Sequence, residues 1–158
     1  MNELIVILHN IRSTHNVGSI FRSADAFGVG KIYLTGYTPS PIDRFGRPQK
    51  DIAKTALGAE KYIPWESTDV NDVMATLKKD GFEIVAVEQD NRSVSLQDCA
   101  PSKRVALIFG NEVKGVSKQL REKSDTILEI PMLGKKESLN VSVTAGIVLF
   151  HLQKNIRR

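Results

Sequence analysis

Apolar residues along this chain recur with two different periods, and the two alternate from one end to the other. Short β-branched runs near 3–8, 31–36, 60–64, 82–87, 104–109 and 126–130 are predicted strands. Stretches near 17–27, 50–57, 69–80, 116–123 and 139–156 carry helical spacing. In "HNVGSIFRSADAFGVGKIYL", residues 15–34, Val17, Ile20, Phe21, Ala24 and Phe27 share one face when the chain is wound at about 100° per residue. Arg22 falls nearly opposite, with Gly18 one turn before it. Asn16 suits the N-cap, because its side chain can accept from a free N–H of the first turn, and Gly28 and Gly30 end the helix. Strand and helix in alternation imply an α/β fold, a mostly parallel six-stranded sheet with helices on both faces. Ligands of such sheets gather at loops beyond the carboxyl ends of the strands.

Composition narrows the picture. The 158 residues suit a single domain over 1–158 that buries its own core, and 41% apolar content excludes a disordered chain. Cys99 is the sole cysteine, and His9, His15 and His151 have no metal-ligand spacing, so neither a disulfide framework nor a metal is expected. "MNELIVILHNIR" lacks the features of a signal peptide, and the uncharged run Ser138–Gln153 is shorter than the ~20 residues a membrane span needs. A cytoplasmic protein without a membrane partner is expected. The formal charge of +4 is uneven: residues 1–65 hold eight Lys/Arg against five acids, and 135–158 hold five against one. Basic ends suit a polyanion.

Nucleotide-binding patterns fail on inspection. "GVGKIY" at 28–33 leaves a helix and enters a strand, the reverse of a dinucleotide fingerprint. "GNEVKGVS" at 110–117 leaves a strand and enters a helix, but Val116 and Ser117 follow Gly115 where a phosphate-binding loop needs lysine. There remains a glycine turn that would let backbone approach a ligand, with Glu112 at the strand's end. In "ILEIPMLGKKESLNVSVTAGIVLFHLQ", Ser138, Asn140 and Ser142 place small hydrogen-bonding groups where the last helix begins. The body of that helix, Val141–Leu152, is apolar nearly all round, which requires burial on more than one side. The loop 37–50, "YTPSPIDRFGRPQK", is either a solvated connector or a nucleic-acid contact, and Arg22 taken alone reads as a surface arginine.

Taken together, three segments resemble the SpoU-type (TrmH-like) RNA ribose 2′-O-methyltransferases of the SPOUT superfamily. They are "NVGSIFRSADAFG", "ALIFGNEVKGV" and "IPMLGKKESLNVSVTAGI", and the likeness covers essentially the whole chain. The resemblance implies a C-terminal deep trefoil knot, an exception to the usual unknotted connectivity, together with a homodimer and an S-adenosylmethionine cofactor. It implies cofactor binding by Gly110, Ile130, Met132 and Leu139, with Val87 and Glu88 contributing. It assigns Arg22 to activating the ribose hydroxyl, with Asn16, Glu112, Ser138 and Asn140 as further catalytic residues. Gly18 is expected to leave room beside Arg22 for RNA backbone, and Glu112 to orient Asn16, Arg22 or a group of the partner subunit. Arg12, Arg44, Arg47 and Lys50 are candidate contacts to tRNA or rRNA. No N-terminal RNA-binding extension is expected. The alternatives are an inactive module of the same fold that binds RNA or S-adenosylmethionine, and a nucleotide-dependent α/β enzyme.

Overall fold

The strand β1 (Glu3–His9) runs through the middle of the molecule, and its alternation explains the layering. Leu4, Val6 and Leu8 enter one apolar cluster while Ile5 and Ile7 enter another, so the strand is buried on both faces. This is a computed structural model that describes residues 3–156. After β1 come α1 (Thr14–Ala26), β2 (Lys31–Thr35), α2 (Lys50–Ala56), α3 (Ala59–Tyr62), β3 (Trp65–Thr68), α4 (Val70–Lys79) and β4 (Glu83–Val87). The chain continues through β5 (Val94–Ser95), a 3₁₀ turn (Leu96–Asp98), β6 (Arg104–Phe109), α5 (Lys118–Lys123), β7 (Thr126–Glu129) and α6 (Val141–Ile156). The strands form one sheet in the order β3-β2-β1-β6-β4-β7-β5, and each neighbouring pair is parallel. Residues of α1, α2, α3 and α6 fill one cluster, and residues of α4 and α5 fill the other.

The sheet has seven strands where six were expected. The added strand, β5, has only two residues and no apolar run of its own; pairing of Val94 with Leu128 and Ser95 with Glu129 creates it. The expected strand at 60–64 is also displaced. Gly58 takes a left-handed conformation and Ala59–Tyr62 winds into a helical turn, so the strand begins at Trp65. Tyr62 is exposed, and only Ile63 of its neighbours on that side reaches the core, so the apolar run there is not a strand's alternation.

Helix α1 begins earlier than its periodicity suggests. Ser13, not Asn16, is the N-cap: its hydroxyl accepts from the Asn16 N–H at 3.2 Å. The Asn16 side chain is thereby released for other work. Val17, Ile20, Phe21 and Ala24 are fully buried, each larger side chain contributing about 1.5–3 kcal/mol. Gly18 does not leave room for RNA, because α2 occupies that side. A β-carbon at Gly18 would lie 2.0 Å from the Thr55 hydroxyl oxygen and 2.3 Å from the Ile52 carbonyl oxygen. The Thr55 hydroxyl also donates to the His15 carbonyl at 2.9 Å, locking the two helices together.

Gly18→Ala is expected to destabilise the protein by about 2–3 kcal/mol, an overpacking cost, measured by urea unfolding. Thr55→Ser should not restore the loss, because the Ile52 carbonyl belongs to the backbone and cannot turn away.

Candidate active site

The carboxyl ends of β4, β6 and β7 open into a cavity of about 420 Å³, a size suited to a small organic ligand. Val87, Phe109, Leu128, Ile130, Met132 and Leu139 supply its apolar wall. Glu88, Gly110, Glu112, Ser138 and Asn140 supply polar groups around it. The six residues expected to bind a cofactor therefore share one cavity with three of the five expected catalytic residues.

The loop after β6 owes its shape to its two glycines. A β-carbon at Gly110 would stand 2.3 Å from the Gly115 carbonyl group, and Gly115 itself has φ +66. The loop closes on itself through the bridge between Asn111 and Gly115. Gly110 thus allows contact within the loop and Gly115 makes room for the Glu88 carboxylate, and both glycines also line the cavity. Glu88 clasps the far side, accepting from the Val116 N–H at 2.9 Å and from its neighbour Gln89 at 2.9 Å. Beyond it, Asp90 bonds Arg92 and Arg121, and hydrogen bonding to these arginines pulls its carboxyl down to about 2. The rim of the cavity is therefore clamped to α5 by a charge that persists into acid.

A continuous set of hydrogen bonds joins the three motif segments at the cavity mouth. Glu112 accepts from the backbone N–H groups of Arg12, at 3.0 Å, and Ser13, at 2.9 Å. It also accepts from the Asn16 amide at 3.2 Å. The Asn16 oxygen in turn accepts from the Asn140 amide at 3.2 Å. The Asn140 oxygen accepts from the Ser142 N–H at 2.9 Å and hydroxyl at 2.5 Å, which fixes the start of α6. Burial alone would raise the Glu112 carboxyl, but the N–H groups of Arg12 and Ser13, with the Asn16 amide, outweigh it and hold it below the usual range. Of the partners expected for Glu112, the structure shows Asn16, and it adds the backbone ahead of α1, which the sequence did not suggest.

Arg22 lies elsewhere. It is exposed, does not line the cavity, and makes no side-chain hydrogen bond or ion pair among the described residues. Asn16, at the amino end of α1, turns to the site, whereas Arg22 occupies the solvent-facing strip of the helix. Arg44 and Arg47 stack on the exposed ring of Phe45 at 4.7 and 4.9 Å, and Arg47 pairs with Asp43 at 3.0 Å. Lys50 is exposed at the first turn of α2. Arg12 borders a second cavity. Sequence reasoning missed Asn111, which is buried and bonds both the Asn10 carbonyl and the Tyr37 hydroxyl. Its place after Gly110 at a strand end was the available signal. Among the described residues no three potential metal ligands cluster, and no helix is long and apolar enough to cross a membrane.

An all-parallel α/β sheet with a polar-rimmed cavity at its carboxyl edge defines a ligand-binding fold, and comparison gives the family. Residues 3–150 match the model of the SpoU rRNA Methylase family, and the chain belongs to it. It is 36% identical over 154 residues to a tRNA (guanosine(18)-2′-O)-methyltransferase of Aquifex aeolicus, covering 96% of this chain and 69% of that one. It is 34% identical over 147 residues to the 23S rRNA (guanosine-2′-O-)-methyltransferase RlmB of Neisseria meningitidis serogroup B, covering 92% and 56%. The crystal structure of an AdoMet-bound rRNA methyltransferase from Sinorhizobium meliloti superimposes with a TM-score of 0.88 at 29% identity, covering 98% of this chain and 57% of that one. The chain spans between 56% and 69% of the length of the curated relatives it matches.

Glu112→Gln puts an amide against donor N–H groups and should cost about 1–3 kcal/mol of stability at neutral pH. Since the folded carboxyl is depressed, its contribution is complete above about 4.3, the unfolded value, and is lost as pH falls through the lower folded value. Denaturation of both proteins across this range should show their stability difference shrinking with acid.

Proposed function

We propose that this chain is an S-adenosylmethionine-dependent RNA ribose 2′-O-methyltransferase that acts on tRNA or rRNA in the cytoplasm. The observation that carries the reading is the hydrogen-bonded set Glu112–Asn16–Asn140–Ser142 at the cavity mouth, in a chain of the SpoU family. The cavity fits the cofactor in size and in its mix of apolar wall and polar rim. Gly110, Ile130, Met132, Leu139 and Val87 would hold it; Glu88 is occupied in bracing the loop and would contribute mainly by shaping the wall. When bound, S-adenosylmethionine supplies a methyl group activated by its sulfonium sulfur.

The protein's tasks are then alignment and stabilisation of the hydroxyl oxygen as it becomes anionic. Ser138 and Asn140 offer neutral hydrogen bonds beside the cavity. Arg22 supplies positive charge to that oxygen; being protonated throughout, it is not the base, and the hydroxyl proton passes to water or an RNA phosphate. It lies six positions after Asn16, about 9 Å along the helix axis and roughly 120° around it. Long helical side chains lean toward the amino end, which favours reach toward the cavity mouth. Arg44, Arg47 and Lys50 form an outlying basic surface for RNA.

The reading includes a homodimer. Val143, Ile147 and Phe150 of α6 form one apolar face that is 49%, 39% and 52% exposed, whereas Ala145, Val148, Leu149 and Leu152 on the other side are buried. A second subunit covering this face supplies the burial that an apolar helix requires. It also includes the trefoil knot. β7 lies between β4 and β5, so the connection through 88–93 must cross it, and the Gln89 amide donates to the Glu137 carbonyl at 2.5 Å where the two loops meet.

The test is transfer of labelled methyl from S-adenosylmethionine to undermethylated bulk RNA, followed by digestion and detection of 2′-O-methylnucleosides. Cofactor binding without transfer would instead favour the inactive module. Arg22→Ala should lower kcat by about 100-fold or more, with S-adenosylmethionine affinity nearly unchanged. Parallel loss of both would assign Arg22 a structural role.

A further inference from the structure

On the other side of the 111–114 loop lies a second cavity, of about 560 Å³. It shares Asn111, Val113 and Lys114 with the first and adds Arg12, Thr14, Tyr37 and Pro39. Tyr37 is 57% exposed, yet it is held at both ends. Its N–H donates to the Asn10 side chain at 3.1 Å, and its hydroxyl accepts from the Asn111 amide at 2.9 Å. Asn10 itself adopts φ 56, a left-handed conformation that asparagine tolerates, and its carbonyl accepts from the same Asn111 amide at 3.0 Å. The ring is therefore fixed in an open position and cannot fold down over the surface to hide its apolar faces.

Two cations line this cavity with the ring. Arg12 and Lys114 are exposed, and among the described residues neither side chain makes an ion pair. Arg47, Arg92 and Arg121, by contrast, are each paired with an aspartate. The nearby carboxylate, Glu112, is turned to the backbone of Arg12 and Ser13 and to Asn16. A pinned aromatic face flanked by unpaired cations matches the chemistry of a nucleotide, whose base stacks and whose phosphate is anionic.

We propose that the second cavity is a nucleotide subsite for the RNA substrate, which rests on the reading of the chain as an RNA methyltransferase. Tyr37 stacks on the base of the nucleotide next to the one being modified, and Arg12 and Lys114 hold its phosphate. Because one short loop walls both cavities, a strand seated on Tyr37 is set in register with the first cavity. Stacking tolerates every base, so this subsite supplies position more than sequence choice.

The experiment measures binding of the full chain to fluorescein-labelled single-stranded RNA of mixed sequence by anisotropy, and to S-adenosylmethionine by calorimetry. Tyr37→Leu should weaken RNA binding by about tenfold or more, while Tyr37→Phe, which keeps the ring, retains most of the affinity. Arg12→Ala should reduce the slope of log Kd against log salt by about one. S-adenosylmethionine affinity should be unchanged in all three. The subsite is overturned if Tyr37→Leu binds RNA as the unmodified protein does, as a subsite for an acidic peptide would require. It is overturned equally if the leucine and phenylalanine variants are equally weak, if both ligands are lost together, or if Arg12→Ala leaves the slope intact. An unmodified protein that binds RNA but transfers no methyl overturns the enzymatic reading while these variants still decide the subsite. Failure to bind RNA at all overturns both.

Discussion

Convergence of three N–H groups on the Glu112 carboxylate, two from the backbone ahead of α1 and one from Asn16, is the contact around which the site is organised. It ties the loop after β6 to the loop after β1, segments about a hundred residues apart that no local interaction would align. A carboxylate meets these donors better than a neutral group, because charge-assisted bonds are shorter and stronger and the carboxylate offers only acceptors. Asn16 then passes the constraint to Asn140 and so to the start of α6. Three loops acquire fixed relative positions from one anion.

The rest of the cavity follows from backbone shape. Gly110 and Gly115 bring the loop into contact with itself, and Glu88 secures the turn from the neighbouring strand. Asn111 spends all of its polar groups there: its oxygen accepts from Val113 and Lys114, and its amide serves Asn10 and Tyr37. A single buried side chain thereby sets the wall between two cavities. With no unsatisfied buried side-chain polar atom among the described residues, the network is complete as it stands, which is the condition under which buried polar groups rigidify a structure.

Preorganised groups of the site face inward, and the groups left free face outward. Arg22, Arg12 and Lys114 are exposed and make no ion pair among the described residues, and α6 presents an open apolar stripe beside its buried one. These outward features gain their meaning from what covers them, a strand of RNA in one case and a second subunit in the other, in the function proposed above.

Much of this was legible along the chain. The parallel α/β sheet followed from period alone, since β1, β4 and β6 are continuous apolar runs that could be satisfied only by burial on both faces. Glu112 at a strand end, the glycine turn and the capping cluster Ser138–Asn140–Ser142 each left a local mark, whereas the apolar cavity residues Ile130, Met132 and Leu139 were reached only through the family resemblance. What stayed hidden depended on partners distant in sequence. β5 exists only because β7 lies beside it, and Gly18 is small because α2 crosses there. Asn16 is not a cap because Ser13 takes that place, and the Asn16 side chain instead bonds Glu112 and Asn140. Period and local chemistry act over a few residues and so are written in the order of the amino acids. Close approach and hydrogen-bond pairing act through space, and folding alone decides which residues meet.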